Sequence, residues 1–521
     1  MPTPGPPAQP EYPDKIDAAV LKIAGVVVLG AIMSILDITV VNVALPTFQT
    51  TFGDGPASPL AYSTVAWTVT AYTLALATVI PLTGWAADRF GPKRLYMVAI
   101  VLFTAGSVLC ATAGSIGMLI GFRVLQGLGG GMLMPLGMTI MTRAAGPARM
   151  GRLMAILGVP MLLGPIGGPI LGGWLIQTVS WHWIFLINLP IGLVAVVYAW
   201  FALPADTPRP SEALDILGVV LMSPGLALFL YGISSIPGAG TFNSPKVYVT
   251  MAIGAVLIGI FVWHTFRPAH PLLDLRLFRN RNLTTATATM FLFAAAFFGG
   301  LLLVPTYFQQ VRGESTLHAG LLVAPQGIGA MITMPIAGRL VDRIPVGRIV
   351  PFGLLLIIGG MFALTRITST ISYSVLIGIL FVMGLGMGAT MMPIMTTALK
   401  TLTSHEVARG STLLNIVQQV ASSVGVAIMS VLLTSHLKDS PLARAAIGTW
   451  HDPSLAAKIG GPPAVAKGLA DAAGAFASTY WVAASLVALT LVPALFLPRR
   501  SEPVRLLDDA EPGTVTPVIT H

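Results

Sequence analysis

Of the twenty acidic residues, only Asp37 sits well inside an apolar run; the other nineteen fall in tails, loops or helix ends. An ionisable group at membrane depth costs about 2.5 to 3.5 kcal/mol on insertion scales, which makes it a functional residue by default. A carboxylate in that position can carry a proton, or it can be a structural group bonded to Thr39 or Asn42. Arg123 is the one basic residue clearly inside an apolar run. Asp37 stands about nine residues before Pro46 and Arg123 about five residues from the outer end of its segment, so at about 1.5 Å per residue both belong to the outer half of a bilayer. They can meet there as partners, in a proton relay or in a structural ion pair. For contacts with a solute, the apolar runs offer polar and aromatic side chains: Asn42, Trp67, Tyr72, Gln126, Tyr307, Gln310, Asn415 and Gln418, with Gln309 and Gln419 beside them. Many methionines and phenylalanines surround them, and such side chains form adaptable surfaces as well as ordinary packing.

Other chemistries lack their residues. A membrane enzyme needs a clustered nucleophile and base, or metal ligands, within the apolar runs; the eight histidines lie at loops, helix ends or the tail. The single cysteine, Cys110, permits no intramolecular disulfide and no cysteine-based metal site, and reads as core filler. An ATP-driven pump needs a Gly-x-x-x-x-Gly-Lys-Ser/Thr phosphate loop, which is absent. No catalytic residue, metal or cofactor is expected.

The elements that must position Asp37 and Arg123 follow from bulk composition. Of 521 residues 55% are hydrophobic and 9% charged, with mean hydropathy +0.83; a soluble domain carries about 25% charged residues. The net charge of +9 does not indicate nucleic acid, because the basic residues sit in short loops between apolar runs. Fourteen apolar segments, each near the roughly 20 residues a span needs, start near Val20, Tyr62, Leu95, Met118, Leu153, Trp183, Leu214, Val247, Leu283, His318, Ile349, Ser372, Gly410 and Ser478. Arginines and lysines cluster after helices 2, 4, 8 and 10, so those loops and both termini are expected in the cytoplasm. Residues 1–19 and 501–521 read as cytoplasmic tails, 20–204 as a six-helix half, 205–282 as two inserted helices with a linker, and 283–500 as a second six-helix half. A long loop, 436–476, is expected outside.

The halves repeat. Gly84-Trp-Ala-Ala-Asp88-Arg89-Phe-Gly91-Pro-Lys-Arg94 is echoed by Gly338-Arg-Leu-Val-Asp342-Arg343-Ile-Pro-Val-Gly-Arg348. Pro46-Thr-Phe-Gln49 is echoed by Pro305-Thr-Tyr-Phe-Gln309, and Gln126-Gly-Leu-Gly-Gly-Gly131 by Met383-Gly-Leu-Gly-Met-Gly388. Transporters built from such repeats bind solute near the midplane and rock one half against the other. The repeat-mates of Asp37 and Arg123 are Ala296 and about Leu380, so proton chemistry is expected in the N-terminal half.

The turn at Gly84 to Arg94 is similar to the signature of the major facilitator superfamily. Leu36-Asp-Ile-Thr-Val-Val-Asn-Val-Ala-Leu-Pro46, Arg123-x-x-Gln-Gly127, Gly164-Pro165-Ile-Gly-Gly168-Pro169 with Gly172-Gly173, and Trp181-His-Trp-Ile-Phe-Leu-Ile-Asn-Leu-Pro190 resemble its fourteen-span drug:proton antiporter branch. The resemblance covers about residues 20 to 500. It implies an all-α fold of two six-helix halves with two extra central helices, in a bacterial cytoplasmic membrane, exporting amphipathic drugs or lipophilic small molecules in exchange for protons and so conferring antibiotic resistance. A facilitator or symporter for one native metabolite, such as a lipid or siderophore, is the alternative. The implied partners are protons, small amphipathic solutes and membrane lipids, without nucleic acid and with a monomer as the working unit. The resemblance assigns Arg123 to a proton-linked motif. It assigns Gly84, Asp88, Arg89, Gly91 and Arg94 to a charge latch on one conformation, with Asp342 and Arg343 as a weaker copy because Pro345 replaces the usual glycine. It also assigns Gly158, Gly164, Pro165, Gly168, Pro169 and Gly172 of helix 5 to an antiporter motif, where close packing without gating is the plainer reading.

Overall fold

In this computed structural model, residues 17–499 are described except 54–59, 61, 146–149, 207–212, 240–242, 269, 342, 401, 403–405 and 451–452. Lipid offers no partner for backbone polar groups, so an apolar run satisfies its own by forming a helix. The long helices are α1 (Ala18–Thr51), α2 (Trp67–Phe90), α3 (Pro92–Ala111), α4 (Ile116–Ala145), α5 (Met150–Thr178), α6 (Trp183–Ala202) and α7 (Ile216–Ala239). They continue with α8 (Pro245–His264), α9 (Arg281–Gln310), α10 (Thr316–Val341), α11 (Val346–Leu364), α12 (Tyr373–Lys400), α13 (Glu406–Lys438) and α14 (Pro462–Ala494). Thirteen of them are long and apolar enough to cross a bilayer. The 29-residue α5 completes the set of fourteen expected. Asp17 caps α1 by accepting from the Val20 N–H at 2.8 Å, and Asn280 caps α9 through the N–H groups of Asn282 and Leu283. Turns interrupt α6 near Ile187 and α12 at Ala389 and Thr390.

Helices α1 to α6 pack on one another, and α9 to α14 form a second group. The groups meet where α5 packs on α10 and where α13 crosses α2 and α4. The pair α7 and α8 is added outside: α7 lies on α2 and α13, and α8 packs on α7. The glycine repeat has the same structural role in both groups. A Cβ on Gly127 would come within 2.5 Å of the Tyr72 carbonyl oxygen of α2, and one on Gly384 within 1.9 Å of the Gln326 carbonyl oxygen of α10. Tyr72 and Gln326 are therefore equivalent positions, each under the glycine of a tight helix crossing.

The expected open loop 436–476 is corrected. That segment holds the end of α13, two short helices (Pro441–Gly448 and Ser454–Lys458) and the first turns of α14, which begins at Pro462 rather than near Ser478. Trp450 anchors it, donating its indole N–H to the Gln310 carbonyl at 3.0 Å.

Candidate functional site

Asp37 and Arg123 meet. The surrounding helices bury both side chains completely, with Arg123 Nη1 2.5 Å from Asp37 Oδ2. Gln126 lies one turn after Arg123 on α4 and therefore on the same face. Its Oε1 accepts from Arg123 Nη1 at 2.7 Å and its Nε2 donates to Asp37 Oδ1 at 2.7 Å, which closes a ring of carboxylate, guanidinium and amide. Arg123 Nε donates to the Thr68 carbonyl at 2.9 Å. Ser107 accepts from both Gln126 Nε2 and Asn188 Nδ2 and donates to the Phe185 carbonyl, so α3 and α6 fix the amide from behind. Cys110, read as core filler, adds a weak contact to Gln126 Oε1 at 3.6 Å. Two desolvated charges hold their place only when their remaining polar atoms are bonded, and here one is not: Arg123 Nη2 has no hydrogen-bond partner. The guanidinium instead lies over the Tyr72 ring, with Cζ 4.1 Å from the ring centroid. The partners considered for Asp37 from sequence do not serve: Thr39 donates to the carbonyls of Ile35 and Leu36, and Asn42 is exposed.

Beside this cluster, at mid-depth between the two groups of helices, lies a cavity of about 240 Å³. Ser34, Ile38, Leu76, Gly130 and Met134 line one wall, and Phe298, Gln326, Met387, Asn415 and Gln418 the other. No Asp, Glu, Lys, Arg or His is among its lining residues. Of the solute contacts expected from sequence, Asn415 and Gln418 line it, together with Gln419. Tyr72 and Gln126 belong to the ion-pair cluster instead. Tyr307 is buried, donating to the Thr368 carbonyl at 2.7 Å; Gln310 lies under Trp450; Trp67 stacks on Tyr231 of α7; and Asn42 faces outward. Ser34 and Gln326 were not legible in sequence, because an apolar helix carries no periodic mark of the face that turns to a cavity.

Tyr72 separates cluster from cavity. Its hydroxyl lies 3.2 Å from Ser34 Oγ, and a Cβ on the cavity residue Gly130 would meet that hydroxyl at 2.4 Å.

At the basic end of the bundle, Gly91 adopts φ +87° between α2 and α3, a conformation that favours glycine. A Cβ there would strike the Asp206 carboxylate at 2.2 Å. Asp206, just past α6 and missed in sequence, accepts from the N–H groups of Lys93 and Arg94 at 2.9 Å and so caps α3. Lys93 Nζ returns the contact, donating to the Trp200 and Leu203 carbonyls at 2.7 Å. Asp88 pairs with Arg143 of α4 at 3.1 Å, while Arg89 and the Arg94 side chain are exposed. Gly84 faces α13, where a Cβ would meet Thr412, Ala408 and Arg409 at 3.3–3.4 Å. In the same turn of α13, Ser411 Oγ meets Thr139 Oγ1 of α4 at 2.9 Å. In the second copy Asp342 lies outside the described residues, Arg343 is exposed, and Pro345 takes φ −57°, with no positive-φ residue among the described residues of that turn.

On α5, Cβ atoms added at Gly164 and Gly168 would strike Ile35 and Thr39 of α1 at 2.1 and 2.0 Å, one at Gly172 would touch Val40 at 3.0 Å, and one at Gly158 would strike Met334 of α10 at 2.5 Å. The side chains of Pro165 and Pro169 lie outside the described residues.

Comparison with known proteins agrees with this architecture. The model of the Major Facilitator Superfamily matches residues 27–426. A multidrug resistance protein B homolog of Mycobacterium tuberculosis is 47% identical over 505 residues, covering 94% of this chain and 92% of that protein. A putative multidrug resistance protein, MdtD, of Klebsiella pneumoniae is 32% identical over 417 residues, covering 78% of this chain and 85% of its own length. Two solved structures share the fold at low identity. They are the human organic anion transporter MFSD10 (TM-score 0.58, 16% identity, 92% of this chain and 100% of that one) and the proton:xylose symporter XylE (TM-score 0.57, 15% identity, 94% and 98%).

Proposed function

The chain belongs to the major facilitator superfamily as a multi-pass membrane transporter, and on that premise we propose that it is a proton-coupled antiporter exporting amphipathic or lipophilic small molecules from a bacterial cytoplasm. The observation that carries this reading is the sealed Asp37–Arg123 pair one side chain away from an uncharged cavity. Protonation of Asp37 cancels the carboxylate charge and leaves the guanidinium held by Gln126, Thr68 and the Tyr72 ring alone. Because interiors are close-packed, a shift of Arg123 is passed to the ring on which it lies. Tyr72 then moves against Ser34 and Gly130 in the cavity wall, so that the proton and the solute compete through one tyrosine.

The contacts of Thr139 with Ser411 and of Gly84 with α13 lie on the basic side of the cavity, which this reading makes cytoplasmic. They describe a conformation closed on that side, while the Asp88–Arg143 pair and the Asp206 cap brace the helix ends of the first group that meet α13 there. Alternation rocks one half against the other, and α5, wedged between α1 and α10, is the element on which the halves slide. Asp37→Asn tests the proposal in vesicles of purified protein: efflux driven by a pH gradient should disappear while solute binding persists. Wild-type pH-driven efflux by this variant would remove the proton role, and pH-independent efflux by the wild-type protein would favour a facilitator.

A further inference from the structure

Gln326 on α10 is 4% exposed and reaches the cavity wall, yet its Oε1 has no hydrogen-bond partner. A buried amide is normally bonded at both ends, and one left open at a cavity is an amide waiting for a partner from the cavity. The internal repeat explains why it is open. Gln326 occupies the position that Tyr72 holds in the first half. There Tyr72 is occupied on both sides, by Arg123 against its ring and Ser34 at its hydroxyl. In the second half the equivalents of Asp37 and Arg123 are Ala296 and Leu380, both fully buried and apolar. The charge cluster is gone, and the side chain that would have served it is free.

We propose that Gln326 determines the specificity of the central cavity, and that the cavity selects uncharged lipophiles carrying an amide-type N–H and C=O pair. A primary amide offers one acceptor and two donors in a plane, and a carboxamide, lactam or imide satisfies both kinds at once. Which edge of the Gln326 amide faces the cavity does not alter the match, since the group can turn over to present either. Gln418 and Asn415 of α13 add polar groups to the same half of the wall. The facing wall, with Ile38, Leu76 and Met134, is apolar except for Ser34, whose hydroxyl is taken by Tyr72, and suits a hydrocarbon body. A ligand therefore sits with its amide toward the second half and its apolar part toward the first. A cation gains nothing here, because Asp37 is behind Tyr72. Discrimination should be marked, because a site built to bond a donor leaves its own buried group unpaired when the ligand lacks one.

This inference rests on the central cavity being the solute site. Its test is titration calorimetry of the purified full-length protein with 1-naphthamide and methyl 1-naphthoate, which share an apolar body and differ in the N–H donors. Wild-type protein should prefer the amide by about tenfold, the scale of the penalty for leaving one buried polar atom unpaired. Gln326→Met keeps the length and apolar bulk of the side chain; it should reduce the preference below about threefold by weakening the amide alone. Gln326→Leu serves as a second variant should the first unfold. A wild-type protein that binds the two compounds equally, or a variant that keeps the tenfold preference, overturns the assignment of Gln326 and leaves the cavity reading intact. Binding of neither compound to the wild-type protein overturns both.

Discussion

The guanidinium of Arg123 lies 4.1 Å above the Tyr72 ring, while the hydroxyl of the same ring touches Ser34 in the cavity wall. One side chain thus has its face on the charge cluster and its edge on the solute space. Tyr72→Phe keeps the stack and removes the hydroxyl, so the cluster should survive and the contact with Ser34 should not. Loss of a neutral hydrogen bond is worth about 1 kcal/mol, or roughly fivefold. The Tyr72→Phe variant should bind solute within about that factor, yet couple its efflux to the pH gradient less tightly. Measured proton counterflow per solute should fall; unchanged stoichiometry would mean that Tyr72 is only packing.

The ion pair separates stability from function. Removing one partner of a buried pair leaves the other charge uncompensated and costs about 3 to 5 kcal/mol. Asp37→Asn and Arg123→Gln should each lower the thermal midpoint clearly, and the double variant should recover most of the loss. Neither single nor double variant should show pH-driven efflux. Recovery of transport together with stability in the double variant would make the pair structural.

Helix α5 offers a matched control on one element. Gly168 abuts Thr39 of α1, whereas a Cβ on Gly173 meets nothing within 4 Å. Gly168→Leu should abolish efflux or folding, with the cost of about 1 to 3 kcal/mol usual for overpacking. Gly173→Leu should be tolerated. Equal effects of the two, read by efflux and thermal midpoint, would contradict the close packing of α5 on α1.

The inserted pair is clasped where it leaves the bilayer. Burial alone would raise the pKa of Asp215, but hydrogen bonds from His264, the Gly218 N–H and the Leu272 N–H outweigh it and hold the carboxyl below its usual value. A carboxyl lowered on folding stabilises the fold above its unfolded pKa of about 4 and loses that contribution as pH falls through the folded value. Wild-type protein should therefore exceed Asp215→Asn in stability at neutral pH, and the gap should close only below about pH 4. A gap independent of pH down to about 3 would rule out the carboxylate as its source.

Legibility followed chemistry more closely than geometry. Asp37 and Arg123 stood out because charge is rare in apolar runs, and their depth along two helices already allowed them to meet. Gln126 was assigned to solute contact although its spacing from Arg123 places both on one helical face; the three-residue interval was the available signal. That Tyr72 and Gln326 are equivalent follows from the repeat, since each stands twelve residues before the glycine of its charged turn, Gly84 or Gly338; what needed the packed helices is what each side chain meets. Asp206 lies in a linker, where an acidic residue looks ordinary until Gly91 turns toward it. The segment 436–476 reads as a loop because its short alanine-rich turns are too polar for a span, although Ser440 before Pro441 is a helix-start signal, the Ser440 hydroxyl accepting from the Ala443 N–H.

Substrate charge is the widest-ranging consequence of an uncharged cavity. A divalent organic cation entering it would leave water for a wall with no ionisable residue, and the one carboxylate nearby is bound to Arg123 and screened by Tyr72. Neutral amphipaths should be exported best, amides first among them, monocations less well because the wall offers them no counter-charge, and dications poorly. Membrane potential makes the test quantitative, because each elementary charge moved across 100 mV carries about 2.3 kcal/mol. Exchange of one proton for one monocation moves no net charge, so it should follow the pH gradient and ignore voltage. Exchange of one proton for a neutral solute moves one charge and should follow both. Efflux of matched neutral, monocationic and dicationic dyes from vesicles, with pH gradient and potential clamped separately, measures this directly. Dication export as fast as that of the monocation would require a second acidic group at the solute site, and the lining of this cavity contains none.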